Sequence, residues 1–210
     1  MYFRLFAMKA VQRVLSYAIE AEDITDPWRP IGQNMEHNLL GDGSLHPFEW
    51  YMEGESNVSI GSLNQLKDWL IKCEYCLDQE LFNERDFWQH PRTFETLRKG
   101  DCEDHAIWAW RKLIELGLKT RFVVGHMAKP EALYADWDQV ESLSFHAWVI
   151  IDYESPVLFE TTQKEGGRML RPLDQVDMHY IPHFSVSEDL KTKAYAGMLL
   201  GAAERARLDP

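Results

Sequence analysis

The chain has 210 residues and is 45% hydrophobic, which suits one domain, with or without an elaborated N-terminal region, and a core that closes without disulfide staples. Lysine and arginine total 22 against 34 acids, a net charge of −12, so the basic footprint that nucleic acid requires is missing. No window approaches the roughly 18 apolar residues of a membrane span, and the charge-interrupted opening Met1 to Lys9 lacks the apolar core of a secretory signal. The cysteines are Cys73, Cys76 and Cys102, an odd and small set that fits free thiols in a reducing, cytoplasmic setting.

In chain order, Val11, Val14, Leu15, Ala18 and Ile19 predict a helix over 7–21. Residues 22–59 lose all periodicity and mix turn formers with Trp28, Trp50 and Tyr51, so 1–61 is expected to be a helix followed by an irregular region covering the core. Residues 62–210 are then the core itself, the whole forming one compact unit. Ser62 and Gln65 make a capping-box pair opening a helix expected to run to about Phe82, with Leu66, Leu70 and Cys73 on its buried stripe. A helix is predicted from Cys102, with Asp101 as N-cap, to the C′ residue Gly117. Strands are predicted at 119–127, 144–151 and about 156–162, with an excursion over 130–139 between the first two. The stretch from Gly166 to Phe184 reads as irregular, and a last helix is expected from about Ser187 to Leu208. The fold class is α+β: a cysteine-bearing central helix on an antiparallel sheet, with extra N-terminal helices and a C-terminal helix.

The chemistry concentrates in Gly100-Asp101-Cys102-Glu103-Asp104. A cysteine opening a helix meets unpaired N–H groups and the positive end of the dipole, which favour the nucleophilic thiolate. Downstream, His146 starts one strand and Glu160 lies on the next, the order of a nucleophile, its base and the acid that orients the base. His146 lies directly opposite Glu160 when paired residue numbers sum to about 306, which leaves a hairpin loop of ordinary length. Asp152, six residues along the same strand, is roughly 20 Å from His146 and too far to serve. His105 and His126 are rival bases, each more simply read as structural. The Cys102 backbone N–H is a candidate oxyanion donor, with Trp88 and Gln89 as side-chain alternatives.

These blocks resemble the transglutaminase-like superfamily, and within it the bacterial transglutaminase-like cysteine proteinases of papain-like fold. The likeness covers 86–163 and is carried by Trp88, Pro91, Gly100 to Asp104, Leu116-Gly117, His146 to Val149, and Glu160 to Thr162. It implies Cys102 as nucleophile, His146 as general base and then acid, and Glu160 as orienting acid where the family usually has aspartate. The implied reaction is acyl transfer from an amide of a peptide or protein substrate through a thioester, resolved by water or an amine. No cofactor is required by that chemistry. Some members bind calcium beside the cysteine, and Asp101, Glu103 and Asp104 could supply oxygen ligands. The plainer reading of these acids is a cap and first-turn charges that complement the helix dipole.

Two other functions compete. One is a catalytically inactive binding or assembly module on the same fold. The other is a metal or redox role for Cys73-Glu74-Tyr75-Cys76, which lacks a second ligand pair and is expected mid-helix, where packing explains it.

Overall fold

The computed structural model describes residues 26, 28–33, 46–127, 144–164, 168–176 and 180–198. The helix expected over 7–21, the 130–139 excursion and residues 199–208 of the expected C-terminal helix lie outside these residues. Seven strands form one antiparallel sheet: β1 (Pro30–Gln33), β4 (Thr120–Met127), β5 (Ser144–Ile151), β6 (Val157–Phe159), β7 (Leu170–Pro172), β8 (Tyr180–Ser187) and β9 (Thr192–Tyr195). Their order is β1-β9-β8-β4-β5-β6-β7. Among the described residues five helices, α1 (Phe48–Met52), α2 (Leu63–Leu70), α3 (Asp78–Leu81), α4 (Pro91–Leu97) and α5 (Cys102–Glu115), precede β4.

Helix α5 is the hub. Every residue from Cys102 to Leu113 is buried, as its apolar circumference predicts. It packs on β4 and β5 through Ala106, Trp110, Leu113, Phe122, Ala147 and Val149, among other members of one core cluster. Gly117 ends it at φ +76°, the left-handed position that glycine occupies without strain. The opposite face of the sheet carries a second cluster of Val123, Trp148, Ile150, Leu158, Val176 and Tyr180. Residues 46–61 are stitched to α5 rather than merely laid over it. Arg111 donates to the Glu53 carbonyl at 2.9 Å and Lys112 to the Val58 carbonyl at 2.7 Å.

Three expectations are corrected. The helix predicted over 62–82 is capped by Ser62 as foreseen, but it stops at Leu70. Glu74–Tyr75 instead forms a short parallel ladder (β2) with Lys99–Gly100 (β3), and α3 follows. Backbone pairing to a distant segment outweighs local helical periodicity here. Cys73 and Cys76 therefore flank a strand. Both are free thiols, Cys73 in the core.

The second correction concerns 166–184, which contains β7 and the start of β8. Pro182 concealed that strand. It is tolerated inside the sheet because the β4–β8 register shifts at Val124/Gly125, leaving an irregularity where no donor is required of proline. Third, residues 187–195 are a hairpin end and β9, not helix. Helical geometry begins only at Gly197, whose Cα is packed so closely on the Pro182 carbonyl that no side chain would fit.

Candidate active site

Strand β5 delivers His146 from its solvent end, and β6 delivers Glu160 one residue past its last paired position. The β5–β6 ladder joins Val149 to Phe159 and Ile151 to Val157, so paired numbers sum to 308. That register is two residues from the expected 306 and keeps both side chains on one face. Extended by one step, it puts Glu160 opposite Trp148 and diagonal to His146, a distance that a long side chain spans. The imidazole Nε2–H donates to Glu160 Oε2 at 2.9 Å.

Glu160 is wholly buried and fully satisfied. Its Oε2 also accepts from the Tyr180 hydroxyl at 2.8 Å, and its Oε1 from the Thr162 N–H at 3.1 Å and hydroxyl at 2.8 Å. Burial alone would raise its pKa, but the bonds from His146, Tyr180 and Thr162 outweigh that and hold the carboxyl below its ordinary value. An ionised Glu160 fixes the proton of a neutral imidazole on Nε2, leaving the Nδ1 lone pair as the base. Asp152, rejected by distance, is instead bonded to Arg121 at 2.6 Å.

Cys102 stands at the N-terminus of α5, where the backbone N–H of Ala147, the residue after His146, works to lower the thiol's pKa. The thiol donates to Glu103 Oε2 at 3.3 Å, and no hydrogen bond joins it to His146 among the described residues. The low-pKa thiolate expected at a helix start is overturned in this state. Burial, then the charges of Glu103 and Asp101, push the thiol well above its ordinary value. Burial and the flanking acids Asp101 and Glu103 outweigh the positive end of the dipole.

Those acids do not serve the plain capping role. Asp101 occupies the N-cap position, but its side chain caps nothing. Glu103 and Asp104 are buried, and both have pKa values raised well above normal, first by burial and then by Asp101 and Asp78, with Asp104 also raising Glu103. Asp78, unremarked in the sequence, joins them, pushed up to about 6 by burial and by Asp101. The atoms of Asp78, Asp101 and Asp104 lie within 4.8 Å of one another, as do those of Asp78, Asp86 and Glu103 and those of Asp101, Cys102 and Glu103. Asp78 Oδ1, Asp101 Oδ1, Glu103 Oε1 and Gln89 Oε1 are buried without a hydrogen-bond partner. Orphaned carboxylate oxygens in one place are what a hard, oxygen-seeking divalent cation satisfies. The residues fit calcium.

Trp88 and Gln89 border this cluster with their side-chain N–H groups already donated. Trp88 Nε1 bonds to Asp86 at 3.1 Å, and Gln89 Nε2 bonds to the Lys99 carbonyl at 3.0 Å and to Asp104. Gly100 is required here because a β-carbon would collide with Asp104 and Gln89. Of the rival histidines, His105 uses both ring nitrogens, one on the Asp101 carbonyl at 2.7 Å and one toward Lys164 at 3.3 Å. Burial, then Lys164, depress its pKa to about 4. His126 pairs with His183 at 2.9 Å. Sequence reasoning missed Tyr180, Arg171, Asp78 and Asp86, which lie in no motif. Only Thr162 stood inside a quoted block.

A model of the transglutaminase-like superfamily matches residues 51–154, which include the Cys102 helix, β4 and the His146 strand. The chain has the transglutaminase-like fold. Comparison with curated protein sequences gives no match. Among solved structures, the chain is similar to Legionella pneumophila LapG in its calcium-bound form, at 16% identity and a TM-score of 0.41, over 59% of this chain and 62% of that one. It is similar to the EGTA-treated form at 15% identity and a TM-score of 0.42, over 67% of this chain and 64% of that one. The chain thus spans less than two thirds of the LapG chains it matches. Within the transglutaminase-like core, no described helix is long and apolar enough to cross a membrane.

Proposed function

We propose that this protein is a thiol enzyme that cleaves or transfers amide acyl groups of a peptide or protein substrate. Cys102 is the nucleophile, His146 the base and Glu160 the orienting acid. The observation that carries this reading is the buried His146–Glu160 pair at 2.9 Å, with His146 on a strand that packs against the Cys102 helix. The thiol turns from Glu103 toward His146 and gives its proton to Nδ1, and the thiolate attacks the amide carbonyl. The N–H of Cys102 receives the oxyanion. The imidazolium returns the proton to the departing amine, leaving a thioester. Water or an amine then attacks, its proton taken by His146, and the sulfur leaves as the thiol.

Asp78, Asp101, Glu103 and Asp104, with Asp86 at the edge, would hold a calcium ion. Bound there, the ion supplies positive charge that neutralises acids now opposing ionisation of Cys102. The free thiols at Cys73, Cys76 and Cys102 accord with a cytoplasmic setting. Profiling against peptides with and without amine acceptors tests the reaction. The expected result is cleavage or amine transfer by the wild type and none by Cys102→Ala, with a thioester-linked mass on Cys102 under acid quench.

One observation favours the alternative, an inactive binding module: the thiol is engaged by Glu103 rather than by His146. Absence of any adduct across the library, with calcium present, decides for the module.

A further inference from the structure

Glu160 differs from an aspartate by one more rotatable bond, so its carboxylate has more freedom to lose before it can hold an imidazole. The structure removes that freedom from both sides. Thr162 grips Oε1 with two bonds. Tyr180 grips Oε2, the same oxygen that His146 uses. The phenol in turn accepts from Arg171 Nη2 at 2.9 Å, with the guanidinium 5.5 Å from the ring centroid. Trp148 packs against both rings of this group, stacked with His146 at 6.1 Å and edge-on to Tyr180 at 5.1 Å.

We propose that Tyr180, polarised by Arg171, is a positioning residue for the triad: it fixes Glu160 Oε2 for His146 and withdraws part of the carboxylate's charge from the imidazole. This rests on the triad reading above. Two donors on one oxygen compete. With the phenol present, the carboxylate binds the imidazolium less tightly, and His146 remains a stronger acid for returning its proton. Burial and Glu160 both raise the Tyr180 pKa, so the phenol stays a donor. Among the described residues, Asp101 at the start of α5 also acts on His146, its charge and the imidazole each affecting the other.

The test is a nitrogen-15 NMR titration of His146 in the wild type, Tyr180→Phe and Arg171→Gln. Tyr180→Phe keeps the ring and its packing and removes only the hydroxyl. The expected result is a His146 pKa raised by about half a unit, roughly threefold in the protonation ratio, with a smaller rise in Arg171→Gln. Iodoacetamide reactivity of Cys102 should show the same displacement along pH. Folded variants whose His146 titrates as in the wild type overturn the proposal, and if Tyr180→Phe fails to fold, Arg171→Gln decides. Movement of His146 with no response at Cys102 upholds the positioning role and overturns the triad. An unmoved His146 with intact Cys102-dependent turnover does the reverse.

Discussion

The two halves of the site are built on opposite electrostatic plans. Around Glu160 every oxygen lone pair in use has a donor, and the carboxyl sits below its ordinary pKa although it is buried. Around Cys102, at the start of α5, four buried oxygens have no partner and acids lift one another's pKa. A buried carboxylate is stable only when donors or a cation replace its lost water. The base half therefore stands preassembled, while the nucleophile half requires protons or a cation before its thiol can ionise.

Breaking the assembled half should have the largest effect. Glu160→Gln keeps the shape but presents an amide to the imidazole, favouring the wrong tautomer. Activity on any cleaved peptide should fall by about 10³-fold or more, while near-ultraviolet circular dichroism stays that of a folded protein. Next comes filling the unassembled half. With calcium at about a hundred times its dissociation constant, the melting temperature at pH 7.5 should rise by roughly 5–10 °C. The rise should be much smaller at pH 5, where protons already occupy the cluster, and absent in Glu103→Gln/Asp104→Asn.

A smaller effect follows from removing one repelling acid. The folded-state pKa of Asp78 is raised to about 6, above its unfolded value, so the folded protein binds more protons between about pH 4 and 6 and loses stability as pH rises through that window. Without metal, Asp78→Asn should melt a few degrees higher than the wild type at pH 7.5 and at the same temperature at pH 4 (an estimate from the usual scaling). His105 works in the opposite sense. Its pKa is depressed to about 4, so its contribution is present above pH 6.5 and is lost as pH falls toward 4. The comparison of variant with wild type isolates Asp78 from it. Smallest of all is the exposed Lys191–Asp189 pair at 2.5 Å. Lys191→Ala should leave the melting temperature and activity unchanged, since solvent screens such pairs.

How much of this was legible in the sequence differs by region in the same way. The strand at 144–151 was read to the residue, and the helix from Cys102 to its glycine stop to within one or two, because burial on one face imposes a period on the residues themselves. The His146–Glu160 pairing was legible from alternation once Pro156 favoured the longer hairpin loop, and the observed register differs by two residues, since turn geometry sets it. Between Ser62 and Phe82 the apolar spacing is helical, yet the strand at Glu74–Tyr75 is dictated by Lys99–Gly100, which no local pattern announces. Pro182 disguised β8, and with it Tyr180, because a bulge that excuses a proline is a property of the partner strand. The acids of the first turn were visible, but not their burial. Whether Asp101 caps a helix or crowds Asp78 depends on what the tertiary fold lays over it.

The most direct test of the account is the rate of Cys102 alkylation by iodoacetamide across pH, with calcium and with chelator, in the wild type and in His146→Ala. The account predicts a wild-type rate that stays high below pH 7 only when calcium is bound, and that falls to an ordinary thiol profile in His146→Ala. Superimposable profiles for the two proteins in calcium would contradict it, for the sulfur would then be ionising without the imidazole.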